Sequence, residues 1–232
     1  MPKPPLSPEQ IQARLLYRDG LILVLDKPAG LPVHAGPGGG PNLEQCFDAL
    51  RFGLPAPPAL AHRLDRDTSG CLVLGRHRKA LAKLGRLFQE GKVDKTYWAV
   101  VVGKPPQSEG RIATPLRKIT RKDGGWRVVA DPDGQPAATK YRVLGSGDGL
   151  TWLELETETG RTHQVRVHCA ELGCPILGEP MYGTLSPEQR QQPLHLHARG
   201  IALPISQTKP PITVKAEPPE HMRAALKLCG WR

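Results

Sequence analysis

The chain of 232 residues has no run approaching the roughly 18 consecutive apolar residues that cross a bilayer. Its opening residues, Met1-Pro2-Lys3-Pro4-Pro5, lack the apolar core of a secretory signal, so a cytoplasmic protein is expected. Cysteine is scarce and odd in number: Cys46, Cys71, Cys169, Cys174 and Cys229, with no Cys-x-x-Cys. Cys169 and Cys174 have no second pair to complete a zinc site, and buried free thiols are expected. The glycines of residues 36–40 lead into no Gly-Lys-Ser/Thr, which excludes a P-loop. Ser69 lacks the Gly-x-Ser-x-Gly context of a hydrolase elbow. His163 and His168 would sit about 140° apart on a helix, too divergent to share one ion, and are expected to be structural. Acidic residues are outnumbered, 22 Asp plus Glu against 32 Lys plus Arg, for a formal charge of +10. The excess is spread along the chain, which suits a folded basic surface and a polyanionic partner. Nucleic acid fits better than a membrane, because no basic helix is backed by large apolar residues.

What remains is an ordinary globular composition, 39% hydrophobic and 23% charged, in a chain long enough for a sizeable core. Ser7-Pro8-Glu9-Gln10 carries a capping serine, a first-turn proline and a glutamine three after the cap, predicting a helix to about Asp19-Gly20. Residues 21–25 are apolar on both faces and predict a central strand. Asn42 should cap a helix to about Phe52. Ala80, Leu81, Leu84, Leu87 and Phe88 recur at helical spacing, with Gly91 closing that helix. Strand patterns cover residues 72–74, 96–102, 126–130, 139–144 and 150–157. A helix is expected from Thr162, as its N-cap, to Leu172. Short strands near 195–203 and 212–216 and a last helix after Pro218-Pro219 complete the chain. Strands outnumber helices without long βαβ alternation. An α+β fold follows, a mixed, mainly antiparallel sheet core flanked by a few helices. The expected organisation is a helical lead over 1–19 and one catalytic-size domain over 20–232.

The densest chemistry lies in His62-Arg63-Leu64-Asp65-Arg66-Asp67-Thr68-Ser69-Gly70, set between apolar flanks. Charge of that density is costly to bury unless paired or used. On composition alone it reads equally as a solvated polar turn. Asp65 and Asp67 share a face of an extended segment, so spacing does not separate them. The basic stretch containing Arg117, Lys118, Arg121 and Lys122 is either an RNA-gripping surface or a solvated face of the sheet.

Six segments together settle on a resemblance. They are residues 25–31 with Lys27-Pro28-Ala29-Gly30-Leu31, His62 to Gly70, Lys95-Thr96-Tyr97-Trp98-Ala99, residues 159–168 with Gly160-Arg161-Thr162-His163-Gln164, residues 175–183, and residues 194–198. In this order they resemble the motifs of the RluA-type RNA pseudouridine synthases, over roughly residues 20 to 205. The chain is similar to the short members that carry no S4 RNA-binding domain. The resemblance implies the pseudouridine synthase fold and an isomerase that needs no metal and no cofactor. It implies a specific uridine in ribosomal and/or transfer RNA as substrate, flipped out of its stack. The reaction breaks the N1–C1′ bond, turns the base and rejoins it through C5. Asp65 is implied as the nucleophile, with Tyr97 and Arg161 as its catalytic partners, and Asp67 as a brace of the loop. Arg63, His62, Lys27, Ile176 and Leu177 are implied as substrate-binding. A monomer is expected. The rival reading is a non-catalytic RNA-binding protein on the same fold, which would be expected to lose one of Asp65, Tyr97 and Arg161. A metal-dependent nuclease or hydrolase would need a ligand cluster that the sequence does not offer.

Overall fold

The computed structural model describes residues 4–36, 38–121 and 124–232. The chain forms two compact units, Met1–Lys95 with Ala198–Glu217, and Thr96–His197 with Pro218–Arg232.

The first unit opens with helix α1 (Pro8–Gln12), closed by the expected reciprocal bonds of Ser7 and Gln10. The helix stops well short of Asp19. Leu15–Arg18 is instead strand β1, paired antiparallel with β2 (Ile22–Lys27). Alternation explains the difference: Leu15 and Tyr17 turn inward while Leu16 and Arg18 face water, a period of two rather than 3.6. β2 is buried on both faces, as its unbroken apolar run requires. The helix expected after Asn42 is present with Asn42 as its N-cap, as a 3-10 helix over Leu43–Leu50. The strands β3 (Ala59–Leu60) and β4 (Ser69–Gly75) follow, then helix α2 (Arg78–Gln89). The sheet of this unit runs β1-β2-β4-β11, where β11 is Leu196–Leu203, with β12 (Ile212–Lys215) on β11 and β3 on β4. Its core joins Ile22, Val24, Val73, Leu84, Ile201 and Leu203. Helix α2 presents Ala80 and Leu84 to it, as the helical spacing predicts.

The second unit is built on β5 (Asp94–Val102), β6 (Glu109–Ile112), β9 (Thr139–Gly147) and β10 (Leu150–Thr157), in the order β5-β10-β9-β6. All these pairings are antiparallel. The strands β7 (Leu116–Thr120) and β8 (Trp126–Ala130) form a separate two-stranded hairpin. Helices α3 (Gln164–Glu171), α4 (Pro187–Gln191) and α5 (Glu220–Leu228) complete it. α5 buries Met222, Ala225 and Leu226 against Val100 and Trp152. Its far end presses on β9: a Cβ at Gly145 would overlap the Cys229 carbonyl, so only glycine fits there. The fold class is the expected α+β with a mostly antiparallel sheet and few helices. All five cysteines are free and buried. Among the described residues no helix is long and apolar enough to cross a membrane.

Candidate active site

The segment His62–Gly70 enters from β3 and runs into β4, and local bonds fix its course. The Thr68 N–H donates to the Asp65 carbonyl at 3.2 Å, closing a turn over the two aspartates. Gly70 has φ +104°, and a Cβ there would overlap the Ala198 backbone carbonyl. That residue must be glycine for β4 and β11 to approach. Thr68 and Ser69 are buried, Arg63 is exposed, and Asp65 is partly exposed. Asp67 is held by its neighbour, with the Arg66 Nε and Nη2 donating to its two oxygens at 3.0 and 3.1 Å. The expected brace of the loop is thus itself bound by the adjacent guanidinium.

His62 faces the protein rather than solvent chemistry. Its Nε2 accepts the Val73 N–H at 3.0 Å, and its ring packs on Phe88 at 4.7 Å. Accepting through Nε2 requires a neutral imidazole. Burial, with the Lys95 charge acting the same way, pushes its pKa down to about 4.

Lys27 is fully buried, and its placement corrects the expectation that it binds substrate. The Nζ donates to the carbonyls of Pro28 (2.7 Å), Leu31 (2.8 Å) and Arg66 (2.8 Å). Three acceptors use all three hydrogens of an ammonium and leave none for a ligand. Burial lowers its pKa to about 7, opposed by the carboxylates of Asp67, Asp65 and Asp26. The side chain thus ties the turn after β2 to the backbone of the Asp65 loop.

In the second unit Tyr97 lies on β5 opposite Leu155 and packs against the cluster of Ala99, Leu153 and Ile176. Ile176 is fully buried in that cluster, and Leu177 is 7% exposed beside Val100 and Met222. Both are core residues of this unit. Arg161 is exposed on the turn before α3, and its Nε donates to the Pro136 carbonyl at 3.1 Å.

That turn departs from the expected cap. His163, not Thr162, precedes the helix, and it adopts φ +53°, a left-handed conformation costly for a non-glycine residue. The buried Gln164 side chain makes this possible. Its Oε1 accepts from the Arg161 N–H (3.0 Å) and the Thr159 hydroxyl (2.7 Å). Its Nε2 donates to the Ala138 carbonyl (2.9 Å) and the Thr139 hydroxyl (3.0 Å). One amide therefore satisfies the turn that a Ser/Thr cap would otherwise serve. His163 Nδ1 lies 2.6 Å from the Tyr182 hydroxyl, which also accepts the Val128 N–H. His168 is buried between the Thr139 hydroxyl and the Thr114 carbonyl. Arg166 and Glu179, buried together, form a two-bond ion pair at 2.7 Å each. None of these partnerships was visible in the sequence, although Thr159, Arg161, His163, Gln164, Arg166, His168, Glu179 and Tyr182 lie in motif segments.

Arg117 pairs with Asp131, Lys118 lies over Trp126, and Arg121 is exposed; Lys122 lies outside the described residues. Among the described residues no group of three or more His, Cys, Asp or Glu is arranged to hold a metal ion.

These motifs and this fold define an RNA-modifying enzyme, and comparison with known proteins agrees. The sequence model of the family described as RNA pseudouridylate synthase matches residues 21–171. An uncharacterised RNA pseudouridine synthase of Zymomonas mobilis is 44% identical over 209 residues, covering 89% of this chain and 94% of that protein. The ribosomal large subunit pseudouridine synthase D of the same organism is 32% identical over 245 residues, covering 98% of this chain and 76% of that protein. The solved structure of human RNA pseudouridylate synthase domain containing 4 superposes with a TM-score of 0.79 at 30% identity, covering 95% of each chain. The chain belongs to the RNA pseudouridine synthase family, of the RluA type, and is an isomerase acting on RNA.

Proposed function

We propose that the protein converts a specific uridine of ribosomal and/or transfer RNA to pseudouridine, with Asp65 as the nucleophile. Residues 20–232 are its catalytic region, and it acts as a cytoplasmic monomer. Tyr97 and Arg161 are the further catalytic residues, and Arg63 contacts the RNA. The observation that carries this reading is the construction around Asp65. The closed turn, the buried Lys27 ammonium on the Arg66 carbonyl and the glycine at residue 70 tie the backbone that carries Asp65. A surface turn with solvated ion pairs needs no such anchoring. Ribosomal RNA gains support from the ribosomal large subunit synthase among the relatives.

The isomerisation is balanced without a cofactor: the base leaves C1′ through N1, returns through C5, and the C5 proton departs as N1 takes one up. The test is to map pseudouridine at single-nucleotide resolution in RNA from a strain lacking the gene, complemented by the wild type or by Asp65→Asn. A site that depends on the gene and is absent with Asp65→Asn fits the reading. No gene-dependent site would favour the RNA-binding alternative, and a site that survives Asp65→Asn would move the nucleophile to another residue.

A further inference from the structure

Trp126 is a large aromatic at 39% exposure on the β7–β8 hairpin. Its surroundings are built rather than incidental. Trp126 pairs with Thr120 and Lys118 with Val128, so Lys118 and Trp126 are diagonal neighbours on one face. The Lys118 Nζ lies 4.3 Å from the indole centroid, and the His163 ring packs at 5.0 Å and 36°. His163 is itself fixed through the Tyr182 hydroxyl, which also accepts the Val128 N–H of the strand that carries Trp126. Val128 and Leu116, on the same face as Lys118 and Trp126, belong to a buried cluster with Val167 and Tyr182, so one end of that face is packed while its other end carries the exposed indole. Beside it lies a groove of about 520 Å³ that Lys118, Gln135, Arg161 and Thr162 help to line, within the size range of small-molecule sites.

We propose that Trp126 is a stacking platform for an unpaired base of the RNA substrate, with Lys118 taking the adjacent phosphate. The identity of the RNA as substrate rests on the synthase reading; the platform rests on this hairpin. An exposed indole offers a π-face to any base, so it senses single-strandedness rather than sequence. The Lys118 ammonium now occupies space over the ring on a flexible stem. A stacked base displaces it, and a phosphate is the natural acceptor for the released charge. Arg161 lines the same groove, which places the stacked base next to a catalytic candidate and makes it a flanking nucleotide rather than the target uridine itself.

The experiment measures binding of a mixed-sequence single-stranded RNA of about ten nucleotides, and of the same strand annealed to its complement, across a salt series. Trp126→Ala is expected to weaken the single strand about 10-fold, with its salt slope and duplex binding unchanged. Trp126→Phe keeps most of the affinity, and Lys118→Gln lowers the salt slope on the single strand. Equal losses on single strand and duplex, or no loss on the single strand, would overturn the platform. The melting transition of each variant identifies any that fail to fold, and Trp126→Leu, which keeps apolar bulk without the aromatic face, then carries the test with the same expected loss on the single strand. If the binding pattern appears in a protein that leaves no gene-dependent pseudouridine, the platform stands and the synthase reading falls. If the protein modifies RNA without this pattern, the reverse holds.

Discussion

The backbone of the loop over residues 62–70 is tied from several directions. Lys27 holds the Arg66 carbonyl from below, His62 takes the Val73 N–H, and Gly70 lets β11 close against the loop's exit. The β7–β8 hairpin is equally charged and lies outside the main sheet, with a bridge from Leu116 to Gln135. Arg117, Lys118, Arg121 and Trp126 are exposed, with Arg117 in an ion pair with Asp131 and Lys118 over the Trp126 ring. In the loop, backbone groups are held by the buried Lys27 and by His62; on the hairpin, the long side chains make surface contacts that can exchange. The difference fits two tasks. A nucleophile must be placed within a fraction of an ångström, whereas phosphates and unpaired bases are gripped by groups that adjust.

The comparison breaks most visibly through Asp65. Asp65→Asn is expected to lower pseudouridine formation at least about 10³-fold while RNA binding is kept. Asp67→Asn weakens a part-exposed pair with Arg66 and removes a charge that favours the Lys27 ammonium, and should cost less than about tenfold in rate. Single-turnover rates beside binding curves check both. Glu179→Gln should be the most destabilising of the substitutions named. It breaks a buried ion pair with Arg166 and should remove about 3–5 kcal/mol, read by denaturant unfolding.

Lys27→Met comes next. It leaves three carbonyls without their charged donor and should cost about 2–4 kcal/mol, with kcat falling before KM changes. Lys27 also predicts a pH dependence. Its pKa is lowered to about 7 in the fold, against 10.5 for an ordinary lysine. Between those values the unfolded chain binds the extra proton, so stability rises with pH across that window and is lost as pH falls through 7. The slope is at most about 1.4 kcal/mol per pH unit, and it should be absent in Lys27→Met. Unfolding curves at several pH values between 6.5 and 9.5 measure it. The smallest effect belongs to the hairpin. Lys118→Gln should change stability by less than about 0.5 kcal/mol while lowering the salt slope of single-strand binding by about 0.7. If hairpin variants destabilised the fold and Lys27 variants affected only binding, the contrast between the two segments would be wrong.

Much of this was legible in the residues. The two-faced apolar run of β2 and the helical spacing of α2 were read from periodicity, because burial alone decides those patterns. Ser7-Pro8-Glu9-Gln10 and Ser186-Pro187-Glu188-Gln189 are the same tetrapeptide, and each caps a five-residue helix. A capping box fixes where a helix starts and says nothing of where it stops, so the first helix was drawn too long and the second was overlooked. β7 was missed because Arg117-Lys118 gives no strand pattern; its partner β8 supplies the order. At the site, residue types showed which side chains carry chemistry. They did not show what holds them: Lys27 looks like a ligand-binding cation until its three carbonyls are seen. Gln164 likewise looks like an ordinary helix residue until its amide is found bracing the Arg161 turn.

The account stands most directly on Asp65 as the nucleophile of an anchored loop. Because the base rejoins through C5, each turnover releases the hydrogen at that position. Purified wild type, Asp65→Asn and Asp67→Asn would be given RNA carrying tritium at C5 of uridine, and the release to water measured. The account predicts release by the wild type and by Asp67→Asn, and none above background by a folded, RNA-binding Asp65→Asn. Release by Asp65→Asn at the wild-type rate, or its loss in Asp67→Asn alone, would contradict it.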